Sequence, residues 1–330
     1  MLKTIPFLCA LACVVSSTFA DEKSKSQAGA LAVEVADDLS IQDRAEKELR
    51  FKVYYPKTGG PYPVIVFSHG FGGNKDSFAA VGKHWTSHGY VVIHPTHADG
   101  LGRQGSDESN KEGNNAGLRG RLGVLRGEIS EASRISGRVA DLVLVLDNLE
   151  TLPKMVPGLD GKIDLQKIGV AGHSFGAYSA MLIGGVTTDL GQEKGKSFRD
   201  KRVKCILPIS AQGTGQQGLT EQSWRALQLP MMTITGTRDR GVGGQDVEWR
   251  KEPYKYSPAG DKYLVVIEGA NHLSYGGGLR AGGGGVPEIV NRCTTYYWDA
   301  YLKNSKDAKD FLKTGKLQQD AAGKFTLETK

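Results

Sequence analysis

Several features common in other protein classes are scarce in this 330-residue sequence. Past its first twenty residues it has no apolar run near the ~18 residues that a membrane-spanning helix needs, which argues against stable membrane insertion. Charge is not one-sided: 42 Lys and Arg face 36 Asp and Glu, interspersed, for a formal net charge of +6. A balance of that kind gives little pull on a polyanion. The densest basic stretch, Arg119, Arg121, Arg126, Arg134 and Arg138, has no interleaved aromatics and no accompanying nucleic-acid motif, so no nucleic-acid partner is expected. Cysteine is rare, with four in all, and no cluster of His, Cys and acidic residues has metal-ligand spacing. His84 and His88 stand four apart, but Trp85 occupies the place where a zinc-protease motif carries Glu. Neither metal nor cofactor is expected.

Glycine is abundant: 44 of 330 residues, about 13% against a typical ~7%. The glycines follow no period, which excludes collagen-like and repeat architectures. Hydrophobic content of 39% with 24% charged residues is that of a globular chain.

Residues 1–20 read as a removable secretory leader. Lys3 supplies the positive start, Ile5 to Val15 the apolar stretch, and Thr18-Phe19-Ala20 a small-x-small cleavage site. The expectation is an exported protein, periplasmic or secreted. Ala10-Leu11-Ala12 is a poor approach to a lipid-modified Cys13, which argues against a lipoprotein anchor. Removing the leader leaves Cys205 and Cys293, whose pairing the sequence leaves open.

Residues 21–330 alternate short apolar runs with helical patterns. This predicts an α/β fold with a mostly parallel central sheet and helices on both faces, in a single domain. The predicted strands are Phe51–Tyr55, Val64–Ser68, Val91–His94, Ile168–Ala171, Ile206–Ile209, Met231–Thr235 and Tyr263–Ile267. Most are apolar on both faces, as strands beneath two helix layers should be. Helices are expected over 76–88, 136–149, 175–183 and 287–302. Residues 97–134 read as a Gly/Arg-rich insertion or lid, 276–285 as a glycine-rich loop, and 305–330 as a polar C-terminal tail with a short strand near 325–327. The two glycine-rich segments are expected to gate access to a site.

Gly172-His173-Ser174-Phe175-Gly176 carries the chemistry. A G-x-S-x-G pentapeptide is weak by itself. Here it follows the apolar run Ile168–Ala171 and opens a small-residue helix, the strand–turn–helix setting in which a serine hydroxyl is thrust out as a nucleophile. Such a serine needs a base, and the base an orienting acid, in the order Ser, Asp, His at later strand ends. Asp239 follows one predicted strand and His272 the next, with Asp246 as a fallback acid. An oxyanion hole would take one N–H from Phe175 and one from Phe71, in the Ser68-His69-Gly70-Phe71-Gly72-Gly73 loop. Phe71, Phe175, Tyr178, Trp249 and Tyr275 are expected to form an apolar, partly aromatic substrate pocket. His94 and His97, at a strand end on the presumed catalytic face, are expected to pack structurally, with pocket lining as the alternative, and His173 to pack structurally.

The stretches PVIVFSHGFGGNKDSF, HGYVVIHPTH, RVADLVLVLDNL, KIGVAGHSFGAYSA, LPMMTITGTRD and VVIEGANHLSYGG run in order from about residue 51 to 302. Together they resemble the α/β-hydrolase superfamily, in its dienelactone-hydrolase-like branch with platelet-activating-factor acetylhydrolases and bacterial cutinases and polyester hydrolases. The resemblance implies Ser174 as nucleophile, His272 as base then acid, Asp239 as its orienter, and Phe71 and Phe175 as oxyanion donors. It departs in three places. Ser174 stands where dienelactone hydrolases carry Cys. Pro208-Ile209-Ser210-Ala211-Gln212 offers no carboxylate where the acetylhydrolases take their acid. The same stretch lacks the aromatic clamp of polyester hydrolases.

The function expected is an exported serine esterase acting on a small-molecule or polymeric carboxylic ester through an acyl-enzyme. The alternatives are an exported serine peptidase or amidase with the same triad, and a non-catalytic binding protein of the same fold. Oligomeric state is not legible.

Overall fold

The computed structural model describes residues 25–100, 131–277, 285–319 and 324–330. The predicted leader, most of the predicted lid over 97–134 and the centre of the glycine-rich loop lie outside the described residues. Among the described residues the chain begins with β1 (Val33–Gln42), β2 (Glu48–Pro56) and β3 (Tyr62–Ser68), followed by α1 (Ala79–Ser87) and β4 (Val91–Thr96). Next come α2 (Glu131–Asp147), the short α3 (Leu152–Met155), β5 (Ile163–His173), α4 (Phe175–Gly184) and the small ribbon β6 (Thr188–Leu190) and β7 (Glu193–Lys196). The remainder is β8 (Val203–Ile209), β9 (Met231–Gly236), α5 (Val247–Tyr256), β10 (Lys262–Ile267), α6 (Val286–Tyr301), α7 (Lys306–Lys313), α8 (Lys316–Gln319) and β11 (Phe325–Thr329).

Nine strands form one sheet in the order β1-β2-β4-β3-β5-β8-β9-β10-β11. The six from β4 to β10 run parallel, and β1, β2 and β11 complete the edges antiparallel. All eight predicted strands lie in this sheet, six of them in its parallel body. Val64–Phe67, Val91–Ile93 and Tyr263–Ile267 are each essentially inaccessible to solvent. Their side chains feed two cores, one on each face. Helices α2 and α4 cover one face with Leu142, Val145, Met181 and Leu182; α1 and α6 cover the other with Val81, Trp85, Tyr297 and Trp298.

The edges were harder to read. Strand β1 interrupts its apolar positions with Glu34, Asp37 and Asp38, and is held by pairing with β2 through a turn in which Asp43 Oδ1 accepts the N–H groups of Ala45 and Lys47. The described residues of the polar 305–330 tail fold back: Ser305 caps α7, and the short strand expected near 325–327 is β11, which pairs with β10 from Tyr263↔Thr329 to Ile267↔Phe325. Cys205 and Cys293 are both free thiols buried in one core, and burial pushes the Cys293 thiol up to about 12. Among the described residues, no helix is long and apolar enough to cross a membrane.

Candidate active site

In an open α/β sheet, ligands gather outside the carboxyl ends of the parallel strands. Four of these ends converge here. Strand β3 delivers the loop Ser68–Gly73, β5 delivers His173 and Ser174, β9 leads into Asp239, and β10 leads into His272.

Ser174 sits between β5 and α4 at φ 54° and ψ −119°, a strained conformation for a residue with a side chain. The turn is that tight because its glycines allow it. A Cβ on Gly172 would stand 2.2 Å from the Gly176 carbonyl oxygen, and one on Gly176 would stand 1.9 Å from the Ser68 carbonyl oxygen. Both contacts are impossible, so the two glycines let strand, helix and the β3 loop close on Ser174.

The Ser174 hydroxyl lies 3.0 Å from His272 Nε2, and His272 Nδ1 lies 3.1 Å from Asp239 Oδ1. Asp239 is buried. Its Oδ2 accepts the hydroxyls of Tyr275 at 2.8 Å and Thr235 at 3.2 Å, and its Oδ1 forms an ion pair with Arg250 Nε at 3.3 Å. Burial alone would raise the Asp239 carboxyl. The hydrogen bond from His272, the Arg250 charge and the hydroxyls of Ser210 and Tyr275 together hold it below the usual carboxylate range. Burial and the Asp239 charge push the Tyr275 phenol well up, so it remains a donor.

Sequence reasoning missed three of these groups, the Thr235 hydroxyl, Ser210 and Arg250. Ser210, at the end of β8 with φ 54°, places its hydroxyl 2.7 Å from His272 Nδ1. Its signal was its place one strand along from the nucleophile, where a carboxylate was sought and none found. Arg250 comes from α5 and donates to the carbonyls of Ser210 and Ala211, both at 2.9 Å; no local motif marked it. The fallback acid Asp246 is elsewhere: its Oδ1 accepts Glu248 N–H and Trp249 N–H and caps α5.

The cleft above Ser174 has a volume of about 610 Å³ and is lined by Gly70–Gly73, Ser77, Phe78, His173, Ser174, Val242, His272, Leu273, Gly276 and Gly277. Its rim is apolar and open, with Phe71 46%, Val242 97% and Leu273 54% exposed. Three residues expected to line it do not. Tyr178 is buried one helical turn behind Ser174, its hydroxyl bonded to Gln217 O at 2.6 Å and Thr188 Oγ1 at 2.9 Å. Trp249 packs away from the cleft and donates to Thr214 O at 2.8 Å. Tyr275 lies beneath Asp239. The Phe175 ring is buried too, stacked on Tyr178, and Phe175 directly follows Ser174 in the first turn of α4, where N–H groups have no acceptor within the helix. Phe78 and His173 are there instead, their rings 5.0 Å apart. Burial and the neighbouring His272 hold His173 down at about 3, so it is neutral, and its Nε2 meets the His272 carbonyl at 2.8 Å.

A second chain of similar atoms lies under the β3 loop. Ser68 Oγ is 2.8 Å from His97 Nε2, and His97 Nδ1 is 3.0 Å from Asp141 Oδ2. All three side chains are buried, and none lines the cleft.

Comparison with known proteins agrees with this architecture. The family model for platelet-activating factor acetylhydrolase, isoform II, matches residues 26–114. The chain is 26% identical over 237 residues to a platelet-activating factor acetylhydrolase of Canis lupus familiaris, a match covering 66% of this chain and 49% of that protein. It is 32% identical over 139 residues to the protein of that name from Bos taurus, covering 36% and 31%. It is 23% identical over 257 residues to cutinase est2 of Thermobifida alba, covering 77% and 63%. The chain thus spans about half the length, or less, of these acetylhydrolases. In its sheet, in the order of its strand-end residues and in these matches, it is an α/β-hydrolase-fold protein similar to platelet-activating factor acetylhydrolases and cutinases.

Proposed function

We propose that this chain is an exported serine esterase that cleaves carboxylic esters through Ser174, His272 and Asp239. The observation that carries the reading is the hydrogen-bonded run from Ser174 Oγ through both nitrogens of His272 to a buried carboxylate, at the floor of an open apolar cleft. Its acetylhydrolase and cutinase relatives bear names of ester-cleaving enzymes, which supports the same bond type here. Residues 1–20 support export, and the six ordered stretches support the dienelactone-hydrolase-like branch.

As Ser174 Oγ attacks the ester carbonyl, His272 Nε2 takes its proton, and Asp239 steadies the resulting imidazolium through Nδ1. The tetrahedral oxyanion is received by the N–H groups of Phe71 and Phe175. His272 then returns the proton to the leaving alcohol, and water repeats the cycle on the acyl-enzyme. The apolar rim suits an acyl or alkyl group lying across Phe71, Val242 and Leu273.

Initial rates on p-nitrophenyl acetate, butyrate, octanoate and palmitate, beside matching anilides, test this. Loss of a triad nucleophile costs on the order of 10⁶-fold in kcat, so Ser174→Ala should fall to background. A folded native protein inert on all esters would overturn the reading, and faster cleavage of the anilides would move it to an amidase.

A further inference from the structure

An N–H group stabilises an oxyanion only if its peptide is turned toward the reacting carbon. The peptide joining Gly70 to Phe71 is held from behind. Its carbonyl oxygen accepts three hydrogen bonds: from His69 Nδ1 at 2.6 Å, from Gly73 N–H at 3.0 Å and from Arg138 Nη2 at 3.2 Å. A trans peptide is planar, so the C=O of Gly70 and the N–H of Phe71 point in opposite directions. Drawing the oxygen down toward Arg138 therefore turns the N–H up, toward the cleft that Gly70 and Phe71 line.

Arg138 belongs to α2 and is only 2% exposed. It does not line the cleft. Its guanidinium is fixed by a two-pronged pair with Asp99, Nε to Oδ1 at 3.1 Å and Nη2 to Oδ2 at 2.8 Å. Its Nη1 donates to the His69 carbonyl at 2.6 Å and approaches Ser68 Oγ at 3.3 Å, gripping the loop one residue earlier as well. Its remaining flat face lies over the Phe175 ring, 4.5 Å from the centroid. One cation therefore holds the Gly70 carbonyl, on the peptide that carries the Phe71 N–H, and lies against the ring of Phe175.

We propose that Arg138 is the positioning residue of the oxyanion hole, setting the Phe71 amide through the Gly70 carbonyl and the Phe175 amide through its ring. This rests on the esterase reading. The planar fork matters beyond the charge: Lys offers a single point of contact and cannot serve two carbonyls and a carboxylate in one plane.

The test compares native protein, Arg138→Lys, Arg138→Gln and Asp99→Asn for p-nitrophenyl butyrate turnover, for inhibition by an alkyl trifluoromethyl ketone and for thermal unfolding. The ketone's hemiketal oxyanion occupies the position of the reaction's own. Losing one oxyanion donor outright costs about 10²–10³-fold, so a misaimed pair should lower kcat about 10- to 10²-fold in both Arg138 variants. KM should stay within about threefold, and ketone affinity should fall in step with kcat. A merely structural role would lower the melting temperature while leaving kcat per folded molecule and ketone affinity intact, and that result would overturn the proposal. Full kcat in Arg138→Lys would also overturn it, by showing that charge suffices. If both Arg138 variants fail to fold, Asp99→Asn decides by the same criteria, since it frees the guanidinium without removing it. A native protein that turns over no ester would instead overturn the esterase reading, and this inference with it.

Discussion

His272 Nδ1 faces two oxygens, Asp239 Oδ1 at 3.1 Å and Ser210 Oγ at 2.7 Å, and the two do different work in the proposed reaction. Only the carboxylate carries charge to balance an imidazolium. Asp239→Asn should therefore cost about 10⁴-fold in kcat, whereas Ser210→Ala, which removes one hydrogen bond worth about 1–1.5 kcal/mol, should cost about tenfold. Steady-state kinetics of the two variants on one p-nitrophenyl ester checks the ranking, and equal losses would contradict it. The order Ser174, Asp239, His272 was legible because it depends on where strands end, and buried apolar runs announce those ends. The directions of Tyr178, Trp249 and Tyr275 were not. Tyr178 stands four residues after Ser174 in a helix apolar all round, so no polar face marked which way it would turn. Tyr275 looked like a pocket aromatic and is a donor to the buried acid, a role visible only once β9 and β10 lie side by side.

The element that makes the site is the junction of β5 with α4, and its tolerance is set by backbone contact with β3. At Gly176 even one methyl group would meet the Ser68 carbonyl at 1.9 Å, with the oxygen of His69 at 2.7 Å. Because these are main-chain atoms of a central strand and its loop, no rotamer change relieves them. Gly176→Ala should destabilise the fold by about 3 kcal/mol or more and push the loop carrying Phe71 away from Ser174. Urea unfolding midpoints beside turnover per folded molecule measure both; an unchanged midpoint would show that the loop yields freely. At this scale the parallel strands were readable, as were β2 and the edge strand β11, but β1 and the β6–β7 ribbon were not. A strand buried on both faces must be apolar throughout, while β1 and the β6–β7 ribbon owe their place to partners and carry the charges of exposed surface.

Across the whole molecule, buried imidazoles set the response to acid. Burial, with His88 beside it, holds His84 down at about 4; burial holds His94 at about 4; burial with His272 beside it holds His173 at about 3. Unfolded, each titrates near 6.5. Between that value and the folded one the unfolded chain binds more protons, so stability rises with pH across the window and is lost as pH falls through it. Each histidine contributes a slope of up to about 1.4 kcal/mol per pH unit. Denaturant midpoints should be flat above about pH 7 and decline steadily from about 6.5 to 4, more gently in His94→Gln; a flat profile over that range would exclude the mechanism. The same burial gives the Ser68–His97–Asp141 chain its meaning. Its donor and acceptor atoms match those of Ser174, His272 and Asp239, with distances that differ by at most 0.2 Å. It occupies the same end of the same sheet, yet all three of its side chains are buried and none lines the cleft. Two serines with nearly the same side-chain partners and distances thus differ in exposure to the outside world, and a catalogue of triads compiled from interatomic distances alone would count this protein twice.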